Sequence, residues 1–307
     1  MNRSVIELLV ARAARGSRPP HNDGARIALA VEGGAMRGVI SAGMVSALES
    51  FGLTDAFDAV YGSSAGAINA AYFLAGQATL GTRIYYEDIN NTAFIDFARA
   101  VRGRPIVDLG FLLDDVAIHR KPLDTARVIA CASPLAVVAT DVDSQQAVAL
   151  RNFATARDLV AALRAGATMP VVAGPPRRVG EQRYLDASLS EPIPVPIAEA
   201  DGCTHILVLL TRGAKMRARP SAFDRYFVAP RLRRLSESLA IRYLDRAKPY
   251  AALMESIDLG TGPLGRAQVF AIRVRDLTIG KLERRTETLR LAAEAGFRAV
   301  AEAFQRT

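Results

Sequence analysis

The chain has 307 residues, half of them hydrophobic and 23% charged, an ordinary globular balance that leaves room for one large domain or two small ones. No window reaches the roughly 18 uncharged apolar residues of a membrane-spanning helix, which excludes an integral helical membrane protein. The formal net charge is +8, and only four of the 39 basic residues are lysine, an arginine bias that fits the nucleotide composition of the source better than a selected role. Cys131 and Cys203 each lie in or beside an apolar run and read as buried thiols of a reducing compartment, with no disulfide and no metal site indicated.

In chain order, residues 1–16 carry the apolar stretch Val5-Ile6-Glu7-Leu8-Leu9-Val10. Glu7 and Arg12 interrupt it and no clean cleavage site follows, so a short amphipathic helix is expected in place of a signal peptide, in a cytoplasmic protein. Residues 16–24, rich in Gly, Pro, Asn and Asp, read as a linker, which puts the folded domain's start near Ala25. Then come a buried strand at 26–31, a helix at 39–51 with Val39, Ile40, Met44, Val45 and Leu48 on one face, a strand at 57–61 and a helix at 65–74. Residues 76–121 show helical patterns at 83–89 and 94–101 and are expected to form a lid or cap. Strands follow at 135–142 and 146–152, a helix capped by Thr155 at 155–165, and further strands at 183–185, 205–210 and 268–274. Residues 283–304 place Leu289, Ala292, Ala293, Gly296, Phe297, Val300 and Phe304 at helical spacing, as a packing helix. Such alternation, with apolar strands, argues an α/β sheet covered on both faces.

Gly62-Ser63-Ser64-Ala65-Gly66 is a G-x-S-x-G pentapeptide between the strand at 57–61 and the alanine-rich helix at 65–74. A serine hydroxyl is a poor nucleophile until a sharp strand-to-helix turn presents it to a base and to amide donors for the oxyanion. Small flanking residues permit that turn, so Ser64 is a candidate nucleophile. A second glycine cluster, Gly33-Gly34-Ala35-Met36-Arg37-Gly38, also separates a strand from a helix, and its spacing fits neither a dinucleotide fingerprint nor a P-loop. The three histidines make poor bases: His21 lies in the linker, His119 in a charged loop, and His205 opens an apolar strand, with no histidine loop near the C-terminus. Asp186 lies in the run Arg183-Tyr184-Leu185-Asp186-Ala187-Ser188, at a strand end where α/β sites are built; position alone favours a plain cap or turn residue.

Gly33-Gly34-Ala35-Met36-Arg37-Gly38, Gly62-Ser63-Ser64-Ala65-Gly66 and Asp186-Ala187-Ser188, in that order, resemble the three signatures of the patatin-like phospholipases, G-G-G-x-R/K-G, G-x-S-x-G and D-G-A/G. Ala165-Gly166-Ala167-Thr168-Met169-Pro170 resembles the small-residue stretch before the family's aspartate, and the C-terminal third is similar to the bacterial cytoplasmic branch. The resemblance covers the chain from about Arg26 onward. It implies a three-layer α/β/α sandwich with a helical C-terminal extension, divided as helix and linker at 1–24, catalytic domain at 25–215, and an extension at 216–307 packed on the same domain. It further implies a serine acyl hydrolase of lipid or phospholipid esters, with Ser64 as nucleophile and Asp186 as base, acting through an acyl-enzyme without a cofactor. Gly33, Gly34 and Ala35 would supply oxyanion-hole amides, commonly worth about 3 kcal/mol each, and Arg37 with Gly38 would stabilise the loop or face a phosphate.

Two positions depart from the pattern. Ala35 replaces the third glycine and Ala187 the glycine after the aspartate, each adding a Cβ where unusual dihedrals or close approach are expected; the alternative function is therefore a weakly active or inactive lipid- or partner-binding protein. Glu32 sets a carboxylate beside the loop, pointing toward it or away. Residues 212–248 hold eleven basic and three acidic residues, with Phe223, Tyr226 and Phe227. That composition suits peripheral docking on anionic membrane as well as a solvated helix face; it would also suit nucleic-acid phosphates, although no nucleic-acid partner is expected.

Overall fold

The structure, a computed structural model, describes residues 4–213, 220–222, 224–274, 277 and 279–305. Its centre is a twisted eight-stranded sheet: β1 (Ile27–Val31), β2 (Ala59–Ser63), β3 (Leu135–Asp141), β4 (Ala147–Leu150), β5 (Arg177–Val179), β6 (Gln182–Asp186), β7 (His205–Leu210) and β8 (Gln268–Arg273), in the order β5-β6-β3-β2-β1-β7-β8 with β4 paired to β3. Strands β3, β2, β1, β7 and β8 run parallel, while β4, β5 and β6 add antiparallel pairings at one side. The central strands are continuous apolar runs because both faces are covered. Along β1, Ile27, Leu29 and Val31 enter one core cluster, while Ala28 and Ala30 enter another across the sheet.

On the first face lie α1 (Val5–Ala14), α2 (Val39–Ser50), α3 (Ala65–Leu74), α4 (Ala78–Glu87) and the C-terminal helix Thr286–Gln305. The second face is covered by helices Val195–Ala200 and Ala247–Asp258, through Val195, Ala198, Tyr250, Leu253 and Ile257. This is the expected three-layer sandwich. Helix α1 is fixed at its start by a capping box between Ser4 and Glu7. The C-terminal helix buries Leu289, Ala292, Ala293, Gly296 and Val300, and its Phe297 and Phe304 tilt against Phe51 at the edge. The segment beyond residue 220 thus supplies helices to the core and β8 to the sheet.

Several element boundaries differ from the sequence expectation. Strand β2 begins two residues late, because Asp58 leaves the ladder to accept hydrogen bonds from Ile27 N (2.6 Å) and Arg12 (2.8 Å). The helical pattern at 94–101 shrinks to the single turn Ala98–Val101, and the pattern at 83–89 belongs to α4, which starts earlier because the Glu49 carboxylate accepts from Ala78 N at 3.0 Å. His119 sits in a π-helix, Phe111–Arg120, not in a loop. Cys131 and Cys203 are free thiols, and burial pushes that of Cys203 up.

Candidate active site

The G-x-S-x-G pentapeptide forms the turn from β2 into α3. Ser64 stands at the turn with φ 56° and ψ −129°, a left-handed conformation that a non-glycine residue holds only when its surroundings impose it. The surroundings are tight. A Cβ on Gly66 would lie 2.3 Å from Val31 O, so the pentapeptide's last glycine is set by the contact between α3 and β1. The turn aims the Ser64 hydroxyl at the C-terminal edge of the sheet, beside the N-terminus of α3, whose dipole favours negative charge there.

Asp186 reaches the same point from β6. It is 3% exposed, and its Oδ2 accepts a hydrogen bond from Ser64 Oγ at 2.7 Å. Its Oδ1 accepts from Ser188 N at 2.7 Å, its backbone N–H donates to Thr168 O at 3.0 Å, and its carbonyl accepts from Thr140 Oγ1 at 2.9 Å. Both carboxylate oxygens are thereby held, and the backbone behind them is fixed at its N–H and its carbonyl, the former by Thr168 of the stretch that ends in Thr168-Met169-Pro170. Ala187 begins a short 3₁₀ turn outside the left-handed region, fully buried, so the missing glycine leaves no backbone strain there.

The glycine cluster closes over the serine. A Cβ on Gly33 would fall 2.3 Å from Ser63 O and 2.7 Å from Ser64 Cβ; only glycine lets the loop approach the turn this closely. Among the described residues, no backbone carbonyl takes up the amides of Gly33, Gly34 and Ala35, whereas Met36 N donates to Lys281 O (3.1 Å) and Arg37 N to Gly34 O (3.1 Å). Ala35 does hold the left-handed φ that the family's glycine would relieve, 52°.

Arg37 is buried, and burial holds its pKa below the usual arginine value. Its Nε donates to Thr211 Oγ1 at 3.2 Å, while its guanidinium packs against Gly34. Gly38 lies behind the loop, its carbonyl taken by Asn69 Nδ2 (2.8 Å) and Ser41 Oγ (3.0 Å). Glu32, whose direction the sequence left open, turns to the end of β7 and accepts from Thr211 N at 2.7 Å, with Arg212 Nε 3.3 Å away as an ion pair.

These groups border a cavity of about 430 Å³, within the range of small-molecule sites. Ser64, Asp186, Gly33, Gly34, Ala35 and Arg37 all line it. Its walls are largely apolar and come from the segment that the sequence marked as a cap, through Ile84, Ile89, Phe94, Val107, Leu109 and Leu112. Sequence reading missed Lys281, which also lines the cavity. Its side chain is exposed along the cavity wall, yet loss of bulk hydration, with Arg212 and Arg37 nearby, lowers its pKa to about 8. Among the described residues Lys281 has no acidic partner within ion-pair distance. No histidine lines the cavity; His205 begins β7 at the opposite end of the sheet, paired with Ile27. Among the described residues no group of three or more His, Cys, Asp or Glu side chains is placed to hold a metal ion.

A largely parallel sheet covered by helices on both faces, with a strained serine turn at its carboxyl edge and an apolar cavity above, places the chain in the three-layer α/β class of folds. Residues 29–199 match the family model described as Patatin-like phospholipase, and the chain belongs to the patatin-like phospholipase family. The chain is 30% identical over 206 residues to "Uncharacterized protein YjjU" of Escherichia coli (strain K12), a match covering 65% of this chain and 56% of that relative, so the similarity spans little more than half the relative's length. The solved structure of VipD from Legionella pneumophila has a TM-score of 0.50 at 12% identity, covering 92% of this chain and 67% of that one, a likeness of fold alone. Human GIVD cytosolic phospholipase A2, in complex with methyl gamma-linolenyl fluorophosphonate, scores 0.44 at 11% identity over 99% and 63%.

Proposed function

We propose that this protein is a serine carboxylic ester hydrolase of the phospholipase A type, cleaving fatty-acyl esters of lipids with a Ser64–Asp186 dyad. The observation that carries the reading is the 2.7 Å hydrogen bond from Ser64 Oγ to Asp186 Oδ2 at the wall of an apolar cavity that no histidine lines. Asp186 accepts the hydroxyl proton as Ser64 Oγ bonds to the ester carbonyl carbon. The resulting oxyanion is met by the amides of Gly33, Gly34 and Ala35, which spend no protein hydrogen bond beforehand among the described residues. Collapse breaks the bond to the alcohol oxygen, which leaves with the proton held by Asp186. Water then gives a proton to Asp186, attacks the acyl carbon and releases the fatty acid with Ser64 restored. Apolar walls suit the acyl chain, and the ammonium of Lys281, which has no acidic ion-pair partner among the described residues, gives an anionic head group a partner. Arg37 acts as a brace for the loop, since its guanidinium is engaged by Thr211 and Gly34.

The departure at Ala35 keeps the inactive-binder reading in view, because that residue carries a left-handed strain that glycine would not. The loop accepts the strain and still reaches Ser64, which favours turnover. A lipid hydrolysis screen read by mass spectrometry tests the proposal: fatty acid and lysolipid should appear with the wild type and vanish with Asp186→Asn. Near-native rates in that variant would rule out Asp186 as the base.

A further inference from the structure

The segment that walls one side of the cavity has a second face turned to solvent. It consists of the π-turn Asp224–Val228, continuing into helix Ala229–Arg233, and helix Glu237–Asp245; residues 214–219 and Phe223, part of the basic stretch marked in the sequence, lie outside the described residues. Val228, Leu232, Leu239, Ala240 and Tyr243 are buried in a cluster with Leu185 and Leu189, which precede and follow Asp186 by one and three residues. Asp224, Val228, Tyr243 and Arg246 reach the cavity itself. This inner side is tied down: Asp224 accepts from Tyr243 Oη and from Arg246 Nη2 (2.8 Å), and its carboxylate caps Ser221 N at 2.7 Å.

The outer side carries large apolar and basic side chains together. Tyr226 is 75% exposed, Phe227 52% and Ile241 50%, interleaved with exposed Arg225, Arg231, Arg233, Arg234 and Arg242. From residue 221 to 248 there are seven basic and three acidic side chains, and two of the acids are already engaged, Asp224 by Arg246 and Glu237 by Arg233. Among the described residues Arg225, Arg234 and Arg242 have no acidic partner within ion-pair distance. Scattered exposed apolar side chains are common on any surface. Here, large exposed apolar groups and arginines without an acidic ion-pair partner among the described residues alternate along a segment whose buried side contributes to the cavity wall. Aromatic rings settle at the bilayer interface, while basic side chains are drawn to anionic head groups.

We infer that this hairpin is the protein's docking surface for an anionic lipid bilayer, seated by Tyr226, Phe227 and Ile241 and steered by Arg225, Arg234 and Arg242, with the cavity opening beside the bound lipid. The link from surface to cavity rests on the lipid-hydrolase reading; the surface itself does not.

The test uses the full chain carrying Ser64→Ala, so that binding is read without turnover, in flotation with phosphatidylcholine vesicles and with the same vesicles containing phosphatidylglycerol. Partition should favour the anionic vesicles and weaken with salt. Arg234→Ala/Arg242→Ala should lower anionic partition by about 30-fold, which corresponds to about 1 kcal/mol per arginine, while Tyr226→Ala/Phe227→Ala should lower partition to both vesicle types. In the wild-type background the same pairs should keep their rate on a soluble short-chain ester and lose rate on vesicles, with unchanged melting temperature. Equal partition to neutral and anionic vesicles, or partition indifferent to both substitutions, would overturn the inference; so would tight binding of an oligonucleotide with no vesicle binding. A wild type that binds vesicles but turns over no soluble ester would contradict the hydrolase reading and leave the docking surface supported.

Discussion

Two polar clusters sit at opposite ends of the same parallel strands, one buried and one facing a cavity, and they differ in how completely they are satisfied. At the amino ends, Arg12 is 1% exposed and every guanidinium N–H is used: Nε and Nη2 donate to the Asp23 carboxylate at 2.8 Å, Nη1 to Asp58 Oδ2 and Ala56 O at 2.8 Å, and Nη2 also to Ala25 O at 2.7 Å. At the carboxyl ends, Ser64 and Asp186 are bonded to each other, while the amides of Gly33, Gly34 and Ala35 and the ammonium of Lys281 are left uncommitted among the described residues. A saturated cluster has nothing to offer a ligand and serves the fold; it clamps α1 and the linker to the strands. An uncommitted one, held beside a cavity, keeps its donors free to meet a ligand.

The largest expected break in this contrast comes from Ser64→Ala, which should lower ester hydrolysis by on the order of 10⁴-fold or more with the melting temperature kept or raised, as steady-state kinetics and calorimetry would show. Arg12→Met should do the reverse. Removing one partner of a buried ion-paired group costs about 3–5 kcal/mol, read as a lower urea midpoint, while the rate per folded molecule stays unchanged. The same variant carries a pH signature. Arg12 holds the Asp23 carboxyl well below the usual carboxylate range, so the stability it confers is fully present at neutral pH and is lost as pH falls below the ordinary aspartate value toward the depressed one. In Arg12→Met that acid limb should flatten.

Smaller effects sharpen the open cluster. With the pKa of Lys281 lowered to about 8, its ammonium is present at neutral pH and disappears as pH rises through that value; preference for anionic over zwitterionic ester should decline in the same window. Lys281→Met should abolish the pH dependence and cost about tenfold in that preference, the size of one charged hydrogen bond. Ala35→Gly is expected to do least, relieving a left-handed alanine and gaining about 0.5–1 kcal/mol with activity equal to or a few-fold above wild type. A large loss of activity in that variant would show that the Ala35 methyl has a role in the site.

What the sequence made legible was whatever short-range chemistry dictates. Buried parallel strands announce themselves as apolar runs, the capping box of Thr155 with Asp158 marks its helix, and G-x-S-x-G is local geometry written in small residues. Ser64 and Asp186, 122 residues apart, are paired by the order and spacing of the motifs that resemble the family's signatures, not by any local pattern. The rest depends on where loops return. Nothing near Lys281 in the chain signals that its carbonyl receives Met36 N and its side chain lines the cavity. Asn69, within an alanine-rich helix, carries no local signal of the bridge it makes between Gly38, Ser41 and Tyr85. The two departures from the motif looked alike on paper, and only the backbone separates them: Ala35 is left-handed and Ala187 is not.

The central claim, that Ser64 is activated by Asp186 alone, is met most directly by intact-mass analysis after incubation with a fluorophosphonate. The account predicts one adduct per chain in the wild type, none in Ser64→Ala, and labelling slowed on the order of 10³-fold in Asp186→Asn. An adduct that survives loss of Ser64, or labelling of Asp186→Asn at the wild-type rate, would contradict it.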